Sequence, residues 1–402
     1  MRRTDPPLAL LLVLLAACPA PKEEGLSIGL LLPRTGTLAD SGGHAESAVL
    51  MAAERINLAG GVAGKPITLA IKDTRSNAAT GVEAAKKLLA DYDVKGIIGP
   101  EEEDVATTMV ELAREKKLVE ISGGITSPRF TTIDDGGYFF RTCPSTQVTA
   151  TALAERMHAD GMETASFLFV PNDFGTAFVS SAVIAYRGLG GTLKSPGHLA
   201  APVTVQPGER DYRAVLNEVL PYKPQALLIV ADPLTGARLV SDWKLLGGNA
   251  RLYLAPTLMT EVFVRGVPAG ALEGAVGVSA LSGDADGSFA KAYADAVGGP
   301  PAQSAYFYYD AMALMALAIE RATKLAGAEP SGDQIRAALF EVASPPGAKV
   351  RWDELGAGLE RVAAGEDVDY DGASGAIDFD ANGDVTLRQV GFWRVSASSI
   401  VR

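Results

Sequence analysis

The stretch IIGPEEEDVATTM, residues 97 to 109, sets four carboxylates in a row directly after a short apolar run. Gly96, Ile97 and Ile98 read as the end of a buried strand, and Val105 to Lys116 reads as a helix. Glu101, Glu102, Glu103 and Asp104 therefore fall on the turn between the two. Ligands bind at such turns in open α/β sheets, and helix N-termini favour negative charge. Two roles compete for these acids. They cap the helix, with Asp104 as the N-cap candidate, or they face a ligand and occupy the place a ligand's own carboxylate would take. A glycosidase pair needs two opposed carboxyls at a set separation, which neighbours on one turn do not supply.

Other chemistry is sparse. His44, His158 and His198 stand in unrelated contexts, which argues against histidine acid–base work or a zinc site. There is no G-x-S-x-G, P-loop or dinucleotide fingerprint, and GLGG at 188–191 reads as a helix-ending turn. DFDANGD (378–384) resembles the front of a calcium loop, but its twelfth position is Gln389, where a bidentate Glu is wanted. An Asn-Gly hairpin turn is the better reading. No metal, cofactor or catalytic residue is expected, and no enzymatic activity.

Strand and helix signals alternate along the chain. LSIGLLLP (26–33) is nearly all apolar, as a strand buried on both faces must be. A glycine-rich turn at 41–43 precedes a helix ending at Gly60-Gly61, and the cycle continues through KPITLAIKDT, AATGVEAAKKLLAD and Val94–Ile98. Later strands are expected at 118–121, 165–170, 226–230 and 252–254, and helices at 146–160, 174–188, 234–246 and 302–325. Such alternation means parallel sheets covered by helices on both faces. GGYFFRTCPS (136–145) and EGAVGVSAL (273–281) read as crossovers between two lobes, with a cleft at the C-terminal ends of their strands. Residues 370–395 read as a terminal pair of strands joined by a tight ANGD turn.

The N-terminus carries its own signal. Arg2 and Arg3 precede an unbroken apolar run from Leu8 to Ala17, too short for the roughly 20 residues that span a bilayer. It reads as a secretory signal peptide, residues 1–17. Leu15-Ala16-Ala17-Cys18 matches a bacterial lipobox, making Cys18 a lipidated first residue and 18–25 a polar tether that holds the protein on a membrane face. The net charge of −12, with no basic cluster, argues against nucleic acid and against an anionic lipid surface. The other cysteine, Cys143, is expected to be a free buried thiol.

The opening IGLLLPRTGTLADSGGHAESAVLMAAERINLAGGVAGKPITLAIKDT resembles the type I periplasmic binding proteins of ABC transporters that bind branched-chain amino acids (Leu/Ile/Val). IIGP, ISGGITSP, YFFRTCPS, NDFGTAF, YYDAMALMALAI and YDGASGAIDFDANGDV carry the resemblance to the end of the chain. It implies two Rossmann-like lobes joined by three hinge crossings, 26–142 plus 272–385 and 143–271 plus 386–402, closing on a small solute. Thr126 then stands at a hydroxyl contact and Gly124 at a backbone contact, although Thr126 also suits a plain turn. Phe174 stands at a ligand-packing aromatic or at an ordinary helix start. Tyr306 lies near a further aromatic, Ser41 replaces an early one, and Asp232 follows another, now Ala231.

Two positions depart from that family's amino-acid clamp. Glu102 and Glu103 stand where small hydroxyl residues hold the ligand's carboxylate, and Thr257 stands where an acid meets its ammonium. The expectation is a monomeric, lipid-anchored solute-binding subunit that docks on ABC permease subunits at the bacterial cell envelope, on the periplasmic face of a membrane. Its ligand would be neutral or cationic on the acidic side. The alternative is an interaction lipoprotein on the same fold that regulates an envelope enzyme, using the segment 345–368 for docking.

Overall fold

A computed structural model describes residues 25–197, 201–280, 283–386, 390–396 and 399–401. Cys18, the signal segment and Gln389 lie outside the described residues, as do most of the tether and part of the final crossing.

The first half builds a parallel sheet. Strand β1 (Leu26–Leu32), helix α1 (Ala39–Leu58), β2 (Ile67–Asp73), α2 (Ala78–Asp91), β3 (Ile97–Ile98), α3 (Glu103–Lys116), β4 (Glu120–Ser122) and β5 (Phe139–Arg141) follow in turn. The strand order is β2-β1-β3-β4-β5, all parallel. The order reverses beside β1, so the turns after β1 and β3 open a crevice at the sheet's C-terminal edge.

The chain then enters a second sheet through α4 (Thr146–Ala159), β6 (Thr164–Phe169), α5 (Asp173–Gly188), β7 (Thr192–Leu193) and β8 (Val203–Thr204). It continues through α6 (Arg213–Val219), β9 (Ala226–Val230), α7 (Pro233–Leu245), β10 (Arg251–Leu254), α8 (Glu261–Arg265) and β11 (Val276–Ala280). After β11 it returns to the first half as α9 (Ser288–Val297), α10 (Gln303–Ala326), α11 (Gly332–Ala343), β12 (Ala348–Arg351), α12 (Leu355–Ala364), β13 (Val368–Gly372) and β14 (Gly375–Ala376). Strands β15 (Val390–Ser396) and β16 (Ser399–Val401) close the second sheet, β15 antiparallel to β11.

Local chemistry fixes where the helices begin. Asn77, Asn172 and Asp232 accept from backbone N–H groups in the first turns of α2, α5 and α7, offsetting donors a helix start leaves open. The core follows the same division. Helix α10 is buried along most of its length against α1 and β1, and α4 and α5 pack on β6 and β9.

Three details differ from the sequence reading. Residues 41–43 are helical, inside α1, because a side chain at Gly42 would meet the Pro33 carbonyl oxygen at 2.1 Å; glycine lets the helix lie against that backbone. The segment 370–395 is not one pair of strands across the ANGD turn, whose flanks are joined by an antiparallel bridge between Phe379 and Val385. β13 joins β12 and β14 in a separate three-stranded sheet, while β15 leaves for the second sheet. The tight turn itself is present, with Asp380 Oδ1 accepting from Asn382 N (2.8 Å) and Asp384 N (3.0 Å), and with Gly383 at positive φ. The segment 345–368 is no free appendage: Trp352, Leu355, Leu359 and Val362 are buried in the same core as α10.

Candidate functional site

A cavity of about 380 Å³ lies at the C-terminal edges of the two large sheets. Larger hollows of about 620 and 570 Å³ sit elsewhere, one beside Gly25 and Lys95, the other between α8 and β15. Of these three, the smallest is the one walled by described residues of both sheets. Ser41, Glu101, Gly124 and Thr126 come from the first, Phe174, Pro256, Thr257 and Ala280 from the second. Cys143, Thr146 and Thr149 line it from the segment between them, and Gln303, Ser304 and Phe307 from the start of α10. Among the described residues that line it there is no lysine, arginine or histidine.

The acidic turn divides its side chains. Glu101 faces the cavity and accepts from Ser41 Oγ at 3.1 Å. Burial raises its carboxyl to about 7, against the help of the Ser41 hydroxyl, and neighbouring Glu102 adds to the rise. Glu102 points the other way, accepting from Thr74 Oγ1, with its second oxygen buried and without a hydrogen-bond partner among the described residues; burial raises it too. Glu103 is raised by burial and then by Asp173 of the second half, and its carboxylate lies 3.9 Å from Arg129 Nε. Neither Glu102 nor Glu103 lines the cavity. Asp104 is exposed inside the first turn of α3, where Glu102 occupies the N-cap position, so the expected Asp104 cap is absent.

Gly123 and Gly124 make the close packing of this wall possible. A Cβ at Gly123 would fall 2.8 Å from the Tyr308 ring, and one at Gly124 would fall 2.9 Å from Glu101 Cγ. The loop that follows is held from behind. Arg141, fully buried, donates to the carbonyls of Ile125 (3.2 Å) and Ser127 (2.7 Å), which flank Thr126. Its other nitrogens bind Asp384 at 2.5 and 2.6 Å. A buried guanidinium with its fork filled is a rigid mount, so Arg141 positions the Thr126 loop without touching the cavity.

The remaining residues singled out in the sequence separate into two groups. Phe174 and Thr257 line the cavity, and Thr257 Oγ1 donates to the Ala231 carbonyl at 2.7 Å. Asp232 does not; its carboxylate caps α7 through Leu234 N (3.1 Å) and Thr235 N (3.0 Å). Tyr306 is turned aside, its ring 4.7 Å from Phe289 and its hydroxyl 3.3 Å from Asp284, and Phe307 reaches the cavity instead. Cys143 is buried, its thiol pushed up to about 12 by burial, which leaves it unreactive.

Thr146, Thr149, Gln303, Ser304 and Phe307 escaped the sequence reading, and Glu101 entered it only as one of four unranked acids. Residues 303, 304 and 307 share one face of a helix, a signal present in the sequence once the start of α10 is placed. Thr146 is 3 % exposed, and its Oγ1 has no hydrogen-bond partner among the described residues. A buried polar atom without a partner is costly unless something fills the space beside it.

Two sheets, one parallel and one parallel but for its β15–β16 edge, linked by three passages of the chain and facing one cavity, define the architecture of a type I periplasmic binding protein. The chain belongs to the periplasmic binding protein family, which it matches over residues 25–398. Over 368 residues it is 26% identical to the chemotactic signal transduction system substrate-binding protein BasB of Halobacterium salinarum, covering 89% of this chain and 84% of that one. It is 33% identical over 118 residues to Leu/Ile/Val-binding protein homolog 1 of Brucella abortus, a stretch that spans 31% of that relative. In fold it is similar to the leucine binding protein LivK of Thermotoga maritima (TM-score 0.73, 20% identity, 94% of this chain and 97% of that one). It is also similar to a solute binding protein of R. palustris in complex with benzoate (TM-score 0.71, 18% identity, 94% and 95%).

Proposed function

We propose that the chain is the extracytoplasmic, lipid-anchored solute-binding component of an ABC importer, and that it closes on a small solute in the cavity between its two halves. The observation that carries this reading is the cavity itself, walled by both sheets and lined by the buried, unpartnered hydroxyl of Thr146. The site residues are Ser41, Glu101, Gly124, Thr126, Thr146, Phe174 and Thr257. The two halves are hinged lobes, and contacts made from both sides of the cavity add up only in the closed form. Anchoring rests on Cys18 and the lipobox before it, with permease subunits as the partners.

A thermal-shift screen over amino acids, amides, amines and small acids, followed by small-angle scattering, tests this. A stabilising solute should shrink the radius of gyration; an unchanged profile with a bound solute would leave a rigid module in place of a closing receptor. Cys18→Ser should move the protein from the membrane fraction to the soluble one. A second reading, in which the loaded protein reports to a signal transducer, is favoured by the relative named for chemotactic signal transduction. The envelope-regulator alternative needs a sealed cleft and a free docking segment. The cavity is lined from both sheets, and Val350, Trp352, Leu355, Leu359, Val362 and Val368 of the segment 345–368 are buried in the core.

A further inference from the structure

Four hydroxyls on the cavity wall have already committed their protons. Thr149 Oγ1 donates to the Thr146 carbonyl (3.1 Å), Thr257 Oγ1 to the Ala231 carbonyl (2.7 Å) and Ser304 Oγ to the Ser41 carbonyl (3.2 Å). A carbonyl can only accept, so the direction of these three bonds is fixed by chemistry. Ser41 Oγ donates to Glu101. A hydroxyl carries one proton and two lone pairs, so each of these groups has only lone pairs left for the cavity. The donors left to the cavity belong to neutral groups, the hydroxyls of Thr126 and Thr146 and the amide of Gln303.

Charge points the same way. Glu101 lies on the wall, Glu102 directly behind it, and Glu103 stands between Asp173 and Arg129, while no cationic side chain lines the cavity among the described residues. A solute carboxylate would find no counter-charge among the described lining residues. Thr146, nearly fully buried with a bare Oγ1, marks a place built for a partner that the described residues do not supply. Apolar contact is available on Phe174, Phe307 and Pro256.

Resting on the solute-binding reading and deepening it, we infer that the solute is a small organic cation without a carboxylate, a protonated amine or amidinium, with its N–H groups on Glu101 and its apolar body against Phe174 and Phe307. A buried ion pair of this kind couples to pH. The groups facing Glu101 are Glu102 from its own turn, Ser41 from α1, Tyr308 from α10 and Cys143 from the crossing, none of them cationic. Its carboxyl, raised to about 7 by burial, must lose its proton to pair with the cation. Below that pH, binding expels one proton into solvent, and affinity falls about tenfold per unit of further acidification.

Titration calorimetry on the full chain tests this with isoamylamine, which is leucine without its carboxylate, together with putrescine, agmatine, leucine and 4-methylpentanoate. At pH 8 at least one amine should bind a hundredfold or more tighter than leucine, and 4-methylpentanoate should not bind. At pH 6 the amine should bind about tenfold more weakly, with proton release seen as a buffer-dependent heat. Glu101→Gln should weaken the amine at least fiftyfold and erase the pH dependence while its circular dichroism melt stays cooperative. Tighter binding of leucine or 4-methylpentanoate than of every amine would overturn the inference. So would silence from all the amines when an uncharged or acidic solute closes the protein, and in that case the solute-binding reading survives. If no solute class produces any shift, both fall.

Discussion

Glu101 and Asp310 are both carboxyls withdrawn from bulk water, on neighbouring parts of the first half, yet they are used in opposite ways. Asp310, fully buried on α10, receives four hydrogen bonds: from Tyr370 Oη (2.8 Å), Ala373 N (2.7 Å), Ser374 N (2.8 Å) and Ser374 Oγ (2.6 Å). Even so, burial lifts it to about 6. Its lone pairs pin the β13–β14 turn to α10, and Gly372 is glycine because a Cβ there would sit 2.5 Å from the carboxyl. Glu101 receives one bond, from Ser41, and opens on the cavity. Burial by itself therefore does not mark a site in this protein. What marks it is hydrogen-bonding capacity that the fold leaves unused on the wall of a cavity.

The largest test of that contrast is Asp310→Ala. It strands two buried backbone N–H groups and a tyrosine hydroxyl, each costing about 1–3 kcal/mol, so a loss on the order of 5 kcal/mol is expected by urea denaturation. Glu101→Ala should cost on the order of 1 kcal/mol, because only one hydroxyl loses a partner. Equal losses would abolish the distinction between a structural and a functional acid.

The next effect is on ligand choice. A ligand anion about 4 Å from an ionised Glu101 is repelled by roughly 4 kcal/mol at an effective dielectric near 20, on the order of a thousandfold in affinity. Leucine, isoleucine and valine should therefore bind weakly or not at all at pH 8. Micromolar binding of any of them by calorimetry would show that Glu101 does not control entry.

Much of the scaffold was legible in the sequence because the signals were periodic. The apolar run of β1, the helix Ala78–Asp91 and the strand Ala226–Val230 emerge within a residue or two of where patterning places them. The site was harder, for a physical reason. On a turn, successive side chains follow no period, so four adjacent acids could not be ranked. Contacts with Ser41 and Thr74, far off in sequence, decide that Glu101 faces in and Glu102 faces away. Asp232 looked available because a cap and a ligand contact use the same residue type at the same strand-to-helix turn. Gly42 misled for a related reason: its role depends on Pro33, nine positions earlier, and not on its own neighbours.

A smaller effect follows from proton linkage. Glu101 is raised from 4.5 to about 7 and Asp310 from 3.8 to about 6, both chiefly by burial. In the unfolded chain both ionise at their ordinary values, so between roughly pH 4 and 7 the folded state holds more protons than the unfolded one. Their contribution to stability is thus fullest at low pH and declines as pH rises through that window. The part due to Glu101, obtained as wild type minus Glu101→Gln, should fall by on the order of 2 kcal/mol from pH 4.5 to 7.5 once solvent screening is allowed for. A flat difference in melting temperature across that range would mean the carboxyl is hydrated like a surface acid.

The smallest expected change comes from a third acid that extends the contrast. Glu120 lies on β4, fully buried, in register with Ile97 and Phe139 on the flanking strands. Neither of its carboxyl oxygens has a hydrogen-bond partner among the described residues, and burial raises it well above the usual carboxylate range. It has neither the four donors of Asp310 nor the cavity of Glu101, so the fold carries a desolvated carboxyl there at a net cost. Met has a similar length and no polar group to desolvate. Glu120→Met should therefore stabilise the protein by about 1 kcal/mol, read as a higher melting temperature at pH 7, with solute affinity unchanged. A lower melting temperature would place Glu120 with Asp310, as an acid whose oxygens are satisfied by ordered water inside the sheet.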